Sequence, residues 1–91
     1  MDVKVVINTC YGGYSLSETA IGLLGGEREA YRRYRHDPEL VRVVETLGED
    51  SYGDFARLEV VLVNGSLYRI EEYDGRERIE TPETLDWINI P

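Results

Sequence analysis

Residues 57–80, RLEVVLVNGSLYRIEEYDGRERIE, carry the reading on which the fold turns. Two dipeptides, Asn64-Gly65 and Asp74-Gly75, divide the stretch into three runs rich in Val, Leu, Ile and Tyr. Asn-Gly and Asp-Gly take the positive φ angles of two-residue hairpin turns, so the runs are expected as three antiparallel strands in a meander. With two-residue loops, Val61 faces Tyr68 and Ile70 faces Ile79 in one apolar file, while Leu62 and Leu67 lie on the opposite face. Both faces of such a sheet then need cover.

Moving toward the N-terminus, HDPELVRVVETLG (36–48) reads as a helix. Asp37 caps it, Pro38 occupies the first turn where its missing amide costs nothing, Leu40, Val43, Val44 and Leu47 form one apolar face, and Gly48 stops it. The preceding EREAYRRYR (27–35) has good helix formers but little apolar material, which leaves a short helix and an extended connection both open. In YSLSETAIGLLGG (14–26), Ser15 and Glu18 have the S-x-x-E spacing of a capping box. Leu16, Ala20, Leu23 and Leu24 follow at helical spacing, and Gly25-Gly26 end the helix. VKVVIN (3–8) is β-branched with apolar residues on both parities, as expected of a central strand covered on both faces. The tail TPETLDWINIP (81–91) holds Trp87, Ile88 and Ile90 and is expected to pack on the sheet or on a second subunit. The expected fold is therefore α+β, a two-layer sandwich of β1-α-(α)-α followed by a three-stranded antiparallel meander, with β1 beside it.

Ninety-one residues make room for a single domain, 1–91, and 42% hydrophobic with 31% charged residues is the balance of a globular chain in water. No stretch is long and apolar enough for a membrane. Eighteen acids against ten bases leave a net charge of −8, a field that repels nucleic-acid phosphates and argues against general nucleic-acid binding. Cys10 is the one cysteine, and the chain opens straight into a strand-like run without a signal pattern, so a reducing, cytoplasmic location is expected. A domain this small has limited interior for Leu58, Val60, Val61, Leu62, Val63, Tyr68, Trp87, Ile88 and Ile90, which predicts a homo-oligomer.

The turn between β1 and the first helix is the leading ligand-site candidate. Gly12 and Gly13 place backbone amides near a helix N-terminus, where anions bind; the Ser15 and Ser17 hydroxyls add donors, and Tyr11 and Tyr14 offer faces for a base. The plain alternative is a tight turn with capping serines and packed tyrosines, since neither a P-loop nor G-x-G-x-x-G is present. Arg28, Arg32, Arg33, Arg35 and Arg42 are half of all basic residues within fifteen positions. Arg32 and Arg35, read as exposed, are the candidates to grip phosphates beside Tyr31 and Tyr34, unless Glu27, Glu29, Asp37 and Glu39 pair with the cluster. Cys10 with His36 is the available thiol-imidazole pair, although a small buried thiol is the commoner outcome. One His and one Cys without ligand spacing predict no metal site, and no cofactor motif is present. Glu71, Glu72, Asp74, Glu77 and Glu80 read as a charged, solvated hairpin surface.

Taken together, NTCYGGYSLS, HDPELVRVVETLGEDSYGDFARLEVV and IEEYDGRERI make the chain resemble a widespread group of small proteins of tailed bacteriophages. Those begin with a strand, then asparagine, cysteine, an aromatic, two glycines and a leucine-serine helix start. The resemblance covers nearly the whole chain but leaves GGEREAYRRYR and WINIP unmatched. It implies a viral gene acting in an infected cell and brings no activity, cofactor or catalytic residue with it. By analogy, small phage proteins are often counter-defence factors, including sponges for nucleotide immune signals. The expected function is thus a non-enzymatic protein that sequesters a small phosphorylated ligand such as a cyclic nucleotide. The alternative is an acidic inhibitor of a host defence or nucleic-acid enzyme, with partial DNA mimicry, and a thiol-dependent enzyme is a distant third.

Overall fold

The structure, a computed structural model, describes residues 2–65 and 67–82. Along the chain run β1 (Asp2–Asn8), α1 (Glu18–Leu23), α2 (Glu27–Arg32), α3 (Pro38–Leu47), a 3-10 turn (Gly48–Ser51), β2 (Leu58–Asn64), β3 (Arg69–Tyr73) and β4 (Arg76–Glu80). The class is α+β, but the meander is not formed: β2 pairs with β1, and β3 with β4, in two separate antiparallel ribbons. β1 and β2 match in seven pairs, from Asp2 with Asn64 to Asn8 with Leu58. Val61 therefore faces Val5 and not Tyr68, whereas Ile70 does face Ile79.

The reason lies in the two apolar faces of the β1–β2 ribbon. Val6, Leu58 and Val60 point to one side and join Leu16, Ala20, Leu24, Leu40 and Val44 of the helical layer. Val5, Ile7 and Val63 point to the other and are met by Tyr68, Ile70 and Ile79. An in-plane meander would leave that second face bare. Gly65, at φ +112°, turns the chain out of the ribbon, strand geometry resumes at Arg69, and the β3–β4 hairpin lies across the face instead. At roughly 25 cal/mol per Å² of apolar area, covering three aliphatic side chains outweighs the hydrogen bonds a third strand would add. The hairpin closes through Asp74 and Gly75, both at positive φ (52° and 91°), the two-residue turn that Asp-Gly favours.

The helical segment follows the expected α3, with Asp37 Oδ1 accepting from the Glu39 and Leu40 amides at 2.8 and 3.1 Å. Residues 27–32 form a short helix anchored by buried Ala30. The α1 cap is a correction: Ser17, not Ser15, is the N-cap, its Oγ accepting from the Ala20 amide at 3.1 Å. Ser17 is held there because its hydroxyl and amide also donate to the carbonyls of Asp50 and Ser51 at 2.7 and 2.9 Å. The tail's Trp87, Ile88 and Ile90 lie outside the described residues.

Candidate functional site

The polar end of β1 organises the site. Asn8 is fully buried and its side chain spends both polar atoms: Nδ2 donates to the carbonyls of Cys10 and Gly75, both at 2.7 Å, and Oδ1 accepts from the amides of Cys10 (3.3 Å) and Arg57 (2.8 Å). One amide side chain thereby ties together the 9–14 turn, the 52–57 loop and the β3–β4 hairpin turn. Its backbone N–H donates at 2.8 Å to Glu77, a carboxylate whose side chain is only 7% exposed. Arg35 neutralises that charge bidentately, at 2.6 and 2.8 Å, and its guanidinium lies 3.5 Å over the Tyr14 ring. Burial pushes the Tyr14 hydroxyl up to about 12 against the opposing pull of Arg35.

These contacts place the sequence candidates. Tyr14 and Arg35 do come together, but as parts of the interior: the Arg35 side chain is 21% exposed, which corrects its reading as a surface residue. Arg32 is exposed and pairs with Glu29 at 3.4 Å, while Arg33 and Arg42 pair with Asp37 and Glu39. Gly12 and Gly13 form a turn in which Gly12 abuts Phe55, whereas the space beside Gly13 is open. A Cβ at Gly12 would fall on the Phe55 carbonyl oxygen, and one at Gly75 would fall on the Tyr11 carbonyl oxygen and 2.6 Å from the Gly13 nitrogen. The glycines thus allow three loops of the same chain to touch. Ser15 is half-buried, and Ser17 is committed to its cap. Cys10 and His36 have separate partners: Cys10 bonds Asn8 through its backbone, while His36 Nδ1 shares a 2.6 Å hydrogen bond with the Tyr68 hydroxyl and its ring stacks on Tyr34. Among the described residues no cluster of three or more His, Cys, Asp and Glu is placed to hold a metal ion.

What the close loop packing produces is an exposed aromatic end. Tyr11, Phe55 and Tyr73 come from the three interlocked loops and are 57%, 75% and 80% exposed. Arg76 extends toward Tyr11, 5.8 Å from its ring centre, and Asp54, Glu72 and Asp74 lie beside the aromatics in sequence. A groove of about 850 Å³ opens between this end and the ribbon, lined by Ile7, Tyr11, Val61, Tyr73, Arg76 and Arg78, with Glu71, Glu72 and Glu77 also on its walls.

Asn8, Phe55, Gly75, Arg76 and Glu77 were not candidates from sequence. Glu77 carried a readable sign: the Asp-Gly turn puts it on the same face as Ile70 and Ile79, and an acid on an apolar face demands a cation. Against protein-family models, curated proteins and solved structures, the chain has no match.

Proposed function

We propose that the chain is a non-enzymatic binding protein that docks on another protein through its three-loop end. The observation that carries this is the joint exposure of Tyr11, Phe55 and Tyr73 on loops pinned by Asn8. Large aromatic side chains held in water on a rigid platform contribute nothing to the monomer's core, and tyrosine with arginine is the composition of interface hot spots. Glu72, Asp74 and the net charge of −8 suit a basic partner surface and speed its approach. On the resemblance to phage proteins read from the sequence, the proposed partner is a defence or nucleic-acid enzyme of an infected cell with a basic substrate cleft. The arginine cluster does little to oppose this reading, because four of its five members, Arg32, Arg33, Arg35 and Arg42, are each paired with an acid of the same chain.

A second reading, capture of a small phosphorylated ligand such as a cyclic nucleotide, is favoured by the groove. Its volume falls in the range of small-molecule sites, and Tyr11 and Arg76 supply a stacking face and a cation. Glu71 and Glu72 on its walls weaken it for phosphate, while Glu77 there is already neutralised by Arg35.

Native mass spectrometry of the protein recovered from producing cells separates the two. The docking reading expects a complex with a second protein that is lost in Tyr11→Ala/Tyr73→Ala while the melting temperature holds. A retained small-molecule mass, lost on Arg76→Ala, would establish the ligand reading instead. The bare chain alone would overturn both.

A further inference from the structure

The two long edges of the β1–β2 ribbon are treated differently. On the outer edge of β1, the Val6 N–H donates to the Arg35 carbonyl at 2.8 Å, the Val6 carbonyl accepts from the Arg35 guanidinium at 3.3 Å, and the Asn8 N–H donates to Glu77. The Val6–Asn8 half of that edge is engaged from within, and the rest of it carries Lys4. On β2, the Arg57 carbonyl accepts from Thr9, so by strict alternation Leu58, Val60, Leu62 and Asn64 turn their N–H and C=O groups away from β1. No hydrogen bond from any described residue reaches those groups.

An open edge is a template for another strand, and chains that keep one unpaired place Lys, Pro or a bulge on it. β2, LEVVLVN, has none of these: its seven pairs with β1 run without interruption, and its one charge, Glu59, turns its backbone toward β1. In the middle of this edge sits Leu62, 63% exposed. We propose that β2 pairs antiparallel with β2 of a second copy of this chain about a two-fold axis at Leu62. Two ribbons thereby become one continuous sheet.

The occupant is a second copy because the edge complements itself. With the axis at Leu62, the outward residues Val60, Leu62 and Asn64 of one copy meet Asn64, Leu62 and Val60 of the other, setting donors against acceptors at each pair. A two-fold axis normal to the sheet keeps like faces together, so Leu62 lies against its own counterpart and Val61 beside Val63. Glu59 falls opposite residue 65, so the Glu59 residues of the two copies do not face each other. The Leu58 end, beside which the 3-10 turn packs, stays outside the pairing. This inference is independent of the three-loop end, which lies on other elements.

The test is sedimentation equilibrium of the full chain with amide exchange, run from about micromolar to about millimolar protein. The expected result is a dimer whose formation tracks concentration, with protection of the Val60, Leu62 and Asn64 amides rising in step. Leu62→Lys, which changes a side chain already in water, is expected to weaken the dimer at least tenfold with the melting temperature of the monomer unchanged. Tyr73→Ala is expected to leave the dimer intact. A monomer across the range, a dimer indifferent to Leu62→Lys, or protection at Val60 and Leu62 that ignores concentration would each overturn the proposal, the last by showing that the chain covers its own edge.

Discussion

Replacing Arg35 by Ala removes the one cation that, among the described residues, pairs with Glu77. The carboxylate is 93% shielded at its side chain and would keep a single backbone donor, the Asn8 N–H. Breaking a buried ion pair from one side costs about 3 to 5 kcal/mol, and because Arg35 retains some solvent contact the lower end, about 3, applies. A chain of this length has total stability on the order of 5 to 14 kcal/mol, so the loss is a large fraction of it. At about 4 to 8 °C per kcal/mol, the midpoint should fall by roughly 12 °C or more. Arg32→Ala is the control: its pair with Glu29 is exposed, and the change should stay within about 0.5 kcal/mol. Urea unfolding and scanning calorimetry on both variants measure the contrast. The double variant Arg35→Met/Glu77→Leu should recover much of the loss, because it removes the stranded charge along with its partner. If Arg35→Ala and Arg32→Ala unfold within about 1 kcal/mol of each other, the Arg35–Glu77 pair does not hold the fold together.

Three further outcomes are expected. In a spectrophotometric titration of the seven tyrosines, Tyr14 should ionise last, near pH 12; because its pKa is raised on folding, its contribution to stability is complete below about pH 10 and disappears as pH rises through 12, and Tyr14→Phe should remove the late step. At Asp37, burial would raise the pKa, but the Leu40 and Glu39 amides and Arg33 outweigh it and hold the carboxyl below its usual value. Its contribution is therefore present above about pH 4 and lost as pH falls through the lowered pKa, and Asp37→Ala should cost about 0.5 to 2 kcal/mol in neutral urea melts while flattening that acid dependence. Gly12→Ala should destabilise by at least about 2 kcal/mol through collision with Phe55, and Gly13→Ala, strained but unobstructed, by about 1; equal costs would contradict the loop interlock.

The elements legible in the sequence are those whose cause is local. Asp37-Pro38 before an i, i+3, i+4, i+7 apolar series, and Asp74-Gly75 between alternating runs, need no distant partner to be read, and both stand as expected. Asn64-Gly65 has the same turn chemistry as Asp74-Gly75 but not the same outcome. There the competing demand was tertiary: the Val5, Ile7 and Val63 face had to be covered, and the hairpin that could have extended the sheet was the material that covered it. Ser15 lost the cap to Ser17 for a similar reason, since the 3-10 turn holds Ser17 by two hydrogen bonds that no local pattern reveals. Arg35 was recognised as a phosphate-gripping type of side chain and was instead claimed by Glu77, forty-two positions away. Long-range pairings of this kind leave only an indirect trace, such as an acid on the apolar face of a hairpin.

The interlocked glycines decide how function can be probed. At Gly12 and Gly75 the space that a side chain would fill is taken by the backbone of a neighbouring loop, so any substitution there moves the loops as well as the surface they carry. Loss of binding in such a variant would say nothing about whether the turn itself touches a partner. Tyr11, Phe55 and Tyr73 differ, because their backbones are fixed by the interlock and the Asn8 hydrogen bonds while their rings stand in water. Truncating the rings removes contact area without touching what positions it. The same division explains how a 91-residue chain holds three aromatics outward at all: the cost of exposing them is met by a buried amide, a bidentate ion pair and two close backbone contacts, none of which depends on the rings. The binding end and the keystone beneath it are thus adjacent in space and separable by mutation.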